Sequence, residues 1–488
     1  MREHFDVLVV GAGLSGIAAG YHLQTHCPGR TYAILEGRER MGGTWDLFRY
    51  PGIRSDSDMF TLGFSFRPWT DAKAIADGDA ILRYLQDTAQ AFGIDRHIRY
   101  QHKVTEAAWS TEEALWTVTV VAAGRRRQFS CSFLFLCAGY YNYARGHLPD
   151  FPGREAFRGR VVHPQFWTPD IDYAGKRVVV IGSGATAVTL VPELAKQAAH
   201  VTMLQRSPTY IVARPSQDRI ANALRRVLPA KLAYGLTRWK NVLLGQYFYA
   251  LARRHPAKAK ERLVEMVRCE LGHDYDVATH FTPSYNPWDQ RLCLVPDADL
   301  FAALREGRAE VVTDQIERFT PDGLRLASDR ELAADLVVTA TGLEVQLMGG
   351  IPVMVDGRLV DWSERLTYKG MMFSGVPNFA IAFGYTNASW TLKADLTARY
   401  VTRLLNAMAS RGIRQVTPQP AGPVEAQPFL DFTSGYVRRA LSLLPRQGHR
   451  KPWRVHQSYT RDLMALSFGG IDDEMEFSNP EPAKRRAA

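Results

Sequence analysis

Cysteine is scarce in this chain, and what there is does not pair. Five cysteines in 488 residues, Cys27, Cys131, Cys137, Cys269 and Cys293, are odd in number, dispersed and without a CxxC motif. Such a set gives neither a disulfide framework nor a zinc site, so no metal is expected and a reducing cytoplasm fits. Also missing is any apolar run of transmembrane length. The opening MREHFDVLVVGAG lacks the long apolar core and small-residue cleavage site of a signal peptide. The expected location is inside the cell. A composition of 46% hydrophobic, 11% aromatic and 23% charged residues excludes a disordered or fibrous chain.

Acidic residues are short in one place only. The net charge is +10, and between Arg214 and Arg268 there are 13 Lys or Arg against 3 Asp or Glu, so this segment carries the whole excess. No nucleic-acid-binding motif or mixed basic and aromatic platform accompanies it, which excludes that partner class. Within it, Leu232, Leu236, Trp239, Leu243 and Tyr247 fall at helical spacing with cations on either side. The stripe predicts a helical insertion packed over the active site, with an anionic membrane surface as the alternative partner.

Glycine is placed with more purpose. FDVLVVGAGLSGIAAGYHL reads as strand, turn and helix, with Gly11, Gly13 and Gly16 as GxGxxG. The three allow a tight turn, backbone approach to a pyrophosphate at the helix N-terminus, and close helix–strand packing. A second strand, TYAILE, ends in Glu36, twenty residues after Gly16, where a carboxylate accepts from ribose hydroxyls. The pattern repeats in KRVVVIGSGATAVTLVPEL, with Gly182, Gly184 and Ala187 as GxGxxA, but the next strand ends in Gln205, Arg206 and Ser207. An arginine pairs with a ribose 2′-phosphate that an acid would repel, so the first site suits FAD and the second NADPH. The plainer reading of Arg206 is a solvated arginine at a strand end.

A flavin reduced by a nicotinamide also fits the disulfide reductases, but those need a redox-active cysteine pair that this chain lacks. Reduction of oxygen is the outlet left for the electrons. SFLFLCAGYY (132–141) and ADLVVTATGL (334–343) read as buried strands ending in small turns, where the chain leaves and re-enters the FAD domain. The expected fold is therefore α/β, with two Rossmann-like dinucleotide-binding domains. Residues 1–145 and 334–470 form the FAD domain, 146–175 a linker, and 176–333 the NADPH domain with a helical insertion at about 214–285; 471–488 is a disordered tail.

FRGRVVHPQFW, just before the second fingerprint, holds Phe157, Gly159, His163 and Trp167. These match FxGxxxHxxxW, and on them the chain resembles the flavin-dependent Baeyer–Villiger monooxygenases, class B, using FAD and NADPH. Family members often carry Thr after the His and Pro or Asp after the Trp, where this chain has Pro164 and Thr168. MGGTWDLFRYPGIRSDSDMFTLGFSF and GYTNASWTLKADLTARY extend the likeness, nearest to the mycobacterial subgroup that activates thioamide prodrugs. The resemblance implies one oxygen atom inserted beside a ketone carbonyl through a flavin C4a-peroxide, giving an ester or lactone, with sulfides or thioamides oxidised as well. Its partners would be molecular oxygen and a small hydrophobic ketone or sulfur-containing substrate. Two other readings stay open: an S- or N-oxygenating flavin monooxygenase, and a non-catalytic redox sensor.

The resemblance also assigns residues. Arg291, in SYNPWDQRLCLVPDADLF, would be the catalytic cation, and Asp56, after RYPG, its carboxylate partner. Their plainer readings are a surface arginine and a turn cap. Ser15, Gly43, Thr44, Trp45, Val104, Gly139 and Asn387 join the FAD site, and Ala185, Thr186 and Ser207 the NADPH site. The fingerprint stretch would be a hinge that closes the cleft, with His163 and Trp167 on one side of a short helical turn; the plainer reading is that they pack the linker.

Overall fold

The apolar runs before each fingerprint become parallel strands covered on both faces, as near-continuous Val and Leu sequences should. The computed structural model describes residues 2–290, 292–429 and 435–480, the side chains of 436–438 excepted. Strand β1 (Glu3–Val10), helix α1 (Leu14–His26) and strand β2 (Tyr32–Leu35) form the first unit. Strand β3 (Arg177–Ile181), helix α2 (Ala185–Leu194) and strand β4 (His200–Gln205) form the second.

β1 lies parallel between β2 and Arg125–Leu136 in a nine-stranded sheet. Val353–Val355 and Phe379–Ile381 return to that sheet from far along the chain, so the first domain is discontinuous. The second sheet runs Ala309–Thr313, β4, β3, Leu336–Thr339, Arg160–Val162, all parallel. Two of these strands move the boundaries read from sequence. The sequence pattern puts Arg160–Val162 in the linker and Leu336–Thr339 in the first domain, yet both pair within this second sheet. A short β-branched run fits either sheet equally well, and pattern alone does not choose.

The tail also differs. Met475–Ser478 pairs antiparallel with Gln415–Pro418, with Met475 buried, so chain order extends past residue 471; residues 481–488 lie outside those described.

The insertion is helical, over Arg219–Val227, α3 (Ala230–Arg254), Pro256–Leu271 and Val277–Phe281. α3 packs on the Met59–Leu62 helix of the first domain, with Tyr234, Thr237, Arg238 and Val242 buried. The Arg238 guanidinium donates to the carbonyls of Phe60 and Gly63, both at 2.8 Å, satisfying acceptors at the end of that helix. The apolar stripe from Leu232 to Tyr247, expected to pack over the active site, faces outward instead. Among the described residues no helix is long and apolar enough to cross a membrane. Helix α4 (Trp390–Ser410) packs on α1, joined by His22 Nε2 donating to Asp395 Oδ1 at 2.6 Å, and α5 (Tyr459–Ser467) follows near the C-terminus.

Candidate active site

The first fingerprint turns as its glycines demand. Gly11 has φ +101°, and a Cβ there would lie 2.6 Å from the Cys137 carbonyl oxygen; at Gly16 it would lie 1.9 Å from the Gly11 oxygen. α1 is thereby seated directly on β1, and its N-terminus opens into a cavity of about 900 Å³. That is the size of a cofactor site. Its walls include Gly11, Gly13, Ser15, Glu36, Gly43, Thr44, Trp45, Asp56, Val104 and Gly139, which the chain brings together from six separate stretches.

Glu36 is buried at the cavity edge. Its carboxylate accepts from the backbone N–H of Ala12 at 2.8 Å and of Arg38 at 2.9 Å. Burial raises its pKa against the lowering by those two bonds. Each carboxylate oxygen has a second lone pair, so acceptor capacity for a ribose remains. The open pyrophosphate approach at Gly13, where an added Cβ meets only Gly43, and the acid at the strand end both fit an FAD.

Asn387 lies between two residues of the cavity wall. Its amide donates to the Gln457 carbonyl at 3.0 Å, and the cavity takes Thr386 and Ala388 from that loop. The sequence reading missed several wall residues. Trp390 donates through its indole N–H to Ser15 Oγ at 2.8 Å and stacks on Tyr140 with ring centroids 5.0 Å apart. Tyr143 meets Thr44, hydroxyl to hydroxyl, at 3.4 Å, and burial raises its pKa. Arg38 is held by the buried Asp46 at 2.7 Å. Trp390 lies in the stretch GYTNASW that carried the resemblance, but nothing in its spacing marked it.

Asp56 lies on the cavity wall, six residues after Tyr50. Arg291 is outside the described residues. The RYPG turn reaches across to the other domain. Phe48 and Tyr50 pack in the core of the second domain, and Arg54 pairs with Asp299. In the second fingerprint Gly182 sits at φ +137° against Ala340, Gly184 is open, and Ala185 and Thr186 start α2. Arg206 is exposed just past β4, with no carboxylate partner among the described residues, and the Ser207 carbonyl accepts from Ser183 Oγ. No group of metal-ligating side chains occurs among the described residues.

The FxGxxxHxxxW residues separate. Phe157 packs against Phe319, and Gly159 leaves room for the Phe157 ring. Trp167 belongs to the second-domain core beside Tyr173. The turn between His163 and Trp167 is a 3₁₀ helix, Pro164–Phe166, with His163 capping its start. In that geometry residues three apart eclipse, so Phe166, not Trp167, lies by His163, with ring centroids 6.1 Å apart. His163 Nδ1 accepts from the Gln165 N–H, and Nε2 donates to the Gly342 carbonyl at 3.1 Å. A Cβ at Gly146 would lie 2.1 Å from the same ring. His163 thus touches both chains that cross between the domains, near Gly146 and Gly342.

Residues 63–266 match the flavin-binding monooxygenase-like family, and residues 9–77 an NAD(P)-binding Rossmann-like domain. The chain is 57% identical over 476 residues to the FAD-containing monooxygenase EthA of Mycobacterium tuberculosis, covering 97% of each. The chain belongs to the FAD-containing monooxygenases. The EthA of Mycolicibacterium smegmatis is 54% identical to this monooxygenase over the same share. Its fold is that of a steroid monooxygenase solved bound to NADP, with TM-score 0.77, 22% identity and 97% and 99% of the two chains covered. Cyclohexanone monooxygenase from Rhodococcus sp. Phi1, solved bound to NADP⁺, gives TM-score 0.75 at 21% identity, covering 98% and 100%. The monooxygenase thus has both a flavin cavity and a second dinucleotide fingerprint on one chain.

Proposed function

We propose that this monooxygenase catalyses Baeyer–Villiger oxidation, inserting one oxygen atom beside a ketone carbonyl to give an ester or lactone, and that it also oxidises sulfides and thioamides. One turnover consumes ketone, O₂, NADPH and a proton, and yields ester, NADP⁺ and water. The observation that supports this most is the cavity itself, where the FAD fingerprint, Glu36 and Asp56 share one wall system tied to the second domain through Phe48, Tyr50 and the Arg54–Asp299 pair. Bound FAD supplies oxygen activation, and NADPH supplies the two electrons.

The chain's own residues supply the rest. Gly13 and the α1 N-terminus receive the pyrophosphate, and Glu36 accepts from the ribose. Arg206 pairs with the 2′-phosphate of NADPH. The Tyr140–Trp390 stack lines the cavity with aromatic surface, which strengthens electrostatic interactions inside it. Arg291 is assigned the fixed cation that stabilises negative charge developing on the carbonyl oxygen, and Asp56 the carboxylate that positions it. His163 is assigned to hold the interdomain crossing in its working geometry. We further propose a cytoplasmic location with peripheral membrane contact, on the cationic excess of segment 214–268. The test supplies a panel of ketones and sulfides with NADPH and oxygen and identifies products by mass. Sulfoxides without any ester would replace this reading with the S-oxygenating one.

A further inference from the structure

We infer that the outer face of α3 is the surface by which this protein docks on an anionic lipid bilayer, an inference that rests on the peripheral-contact reading above. The burial of α3 is inverted. Its inner face buries Thr237 and Arg238, whereas Leu232, Leu236, Trp239, Leu243, Tyr247 and Leu251 are 42 to 60% exposed. Those six recur at spacings of 4, 3, 4, 4 and 4, so they form one stripe, about 28 Å long at the helical rise. A surface helix ordinarily turns such a stripe to the core. A contiguous apolar face of this length on the outside calls for an apolar partner.

Charge selects the partner. Arg226 and Lys231 before the stripe, and Arg254 and Lys258 after it, are exposed and have no carboxylate partner among the described residues. Two copies meeting on this face would set cation against cation, whether the helices ran parallel or antiparallel, because both ends are positive. A bilayer with anionic headgroups meets both requirements: its interior takes the leucines and tryptophan while its surface takes the lysines and arginines.

The inner face shows what docking would hold in place. Arg238 binds the end of the Met59–Leu62 helix, and Asn241 donates to Asp58 Oδ1 at 2.9 Å, two residues past Asp56. Leu62 and Asp56 line the cavity. A docked bilayer would therefore lie one helix away from the wall of the site, where it could present apolar ketones.

The test uses the full-length, FAD-loaded protein and vesicles of phosphatidylcholine with or without phosphatidylglycerol, read by co-sedimentation, with light scattering for oligomeric state. Binding is expected to the phosphatidylglycerol vesicles alone and to weaken with salt. A Leu236→Glu, Leu243→Glu double variant should lower vesicle affinity about tenfold or more. The same variant should retain its flavin and turn over a water-soluble ketone at the wild-type rate. Vesicle binding is read without turnover, so its failure is distinct from failure of the oxygenation reading. Absence of binding, equal binding to both vesicle types, or undiminished binding by the double variant overturns the inference. A stable wild-type dimer that the double variant converts to monomer also overturns it, and assigns the face to a second copy.

Discussion

Arg206, assigned to the 2′-phosphate of NADPH, makes a prediction about nicotinamide choice. It is exposed and pairs with no carboxylate among the described residues, so Arg206→Glu should leave thermal stability almost unchanged. Losing a charge-assisted contact worth about 1.5–3 kcal/mol should cut the NADPH over NADH preference by about ten- to a hundredfold, measured as the ratio of kcat/KM values. An unchanged ratio would return Arg206 to a solvated strand end. Arg291→Ala should keep its flavin but lose ester formation by about two to three orders of magnitude, with residual NADPH use appearing as hydrogen peroxide. Ester made at the wild-type rate would remove Arg291 from its role. His163 makes a prediction in pH. Burial holds its imidazole below the ordinary 6.5, outweighing the raising effect of the Gly342 carbonyl. Neutral His163 therefore contributes stability in full above that ordinary value, and the contribution is lost as pH falls through the depressed one. The stability gap between wild type and His163→Ala should shrink from about pH 8 to pH 5, and a gap that widened would contradict the assignment. That Glu36 and Arg206 fall just past strand ends was legible because each sits at a fixed distance from its own glycines. Trp390 was not, because its partner Ser15 is 375 residues away.

At the scale of elements, one buried cation contributes to fixing α3. Arg238 serves the carbonyls of Phe60 and Gly63, and these would be left unsatisfied in Arg238→Met. Chemical denaturation should show a loss of about 2–4 kcal/mol, with Arg238→Lys losing less because it keeps the charge without the fork. A Met variant as stable as wild type would mean that the other contacts of α3, Asn241 to Asp58 and Tyr234 to the Phe64 carbonyl among them, hold it without the cation. Hydrophobic period found this helix from sequence, but period reports only that a stripe exists. Which way the stripe faces depended on Tyr234 and Arg238 reaching a helix in another domain. The same limit applies to Leu336–Thr339, whose apolar run announced a strand but not the sheet that received it. It applies to the fingerprint too, where Pro164 imposes a 3₁₀ turn and sends His163 and Trp167 to different surroundings.

Across the whole molecule, both domains are built from strand–glycine–helix units, which is why the architecture was readable while the crossing between them was not. That crossing gathers Gly146 and His163 from one connecting segment and Gly342 from a distant one, and the RYPG turn spans it separately through Tyr50 and the Arg54–Asp299 pair. If His163 holds the crossing in its working geometry, His163→Ala should slow oxygenation while FAD stays bound, and Gly146→Ala, which drives a methyl into the same ring, should do likewise. Turnover unchanged in both would leave His163 a packing residue. The central claim is that reducing equivalents from NADPH end in oxygen insertion beside a carbonyl. Its most direct test is the mass of the product formed from a simple ketone, NADPH and isotopically heavy O₂. The account predicts an ester or lactone carrying one heavy oxygen atom per NADPH consumed. NADPH consumption that yields only hydrogen peroxide, with every ketone recovered unchanged while sulfides become sulfoxides, would contradict it.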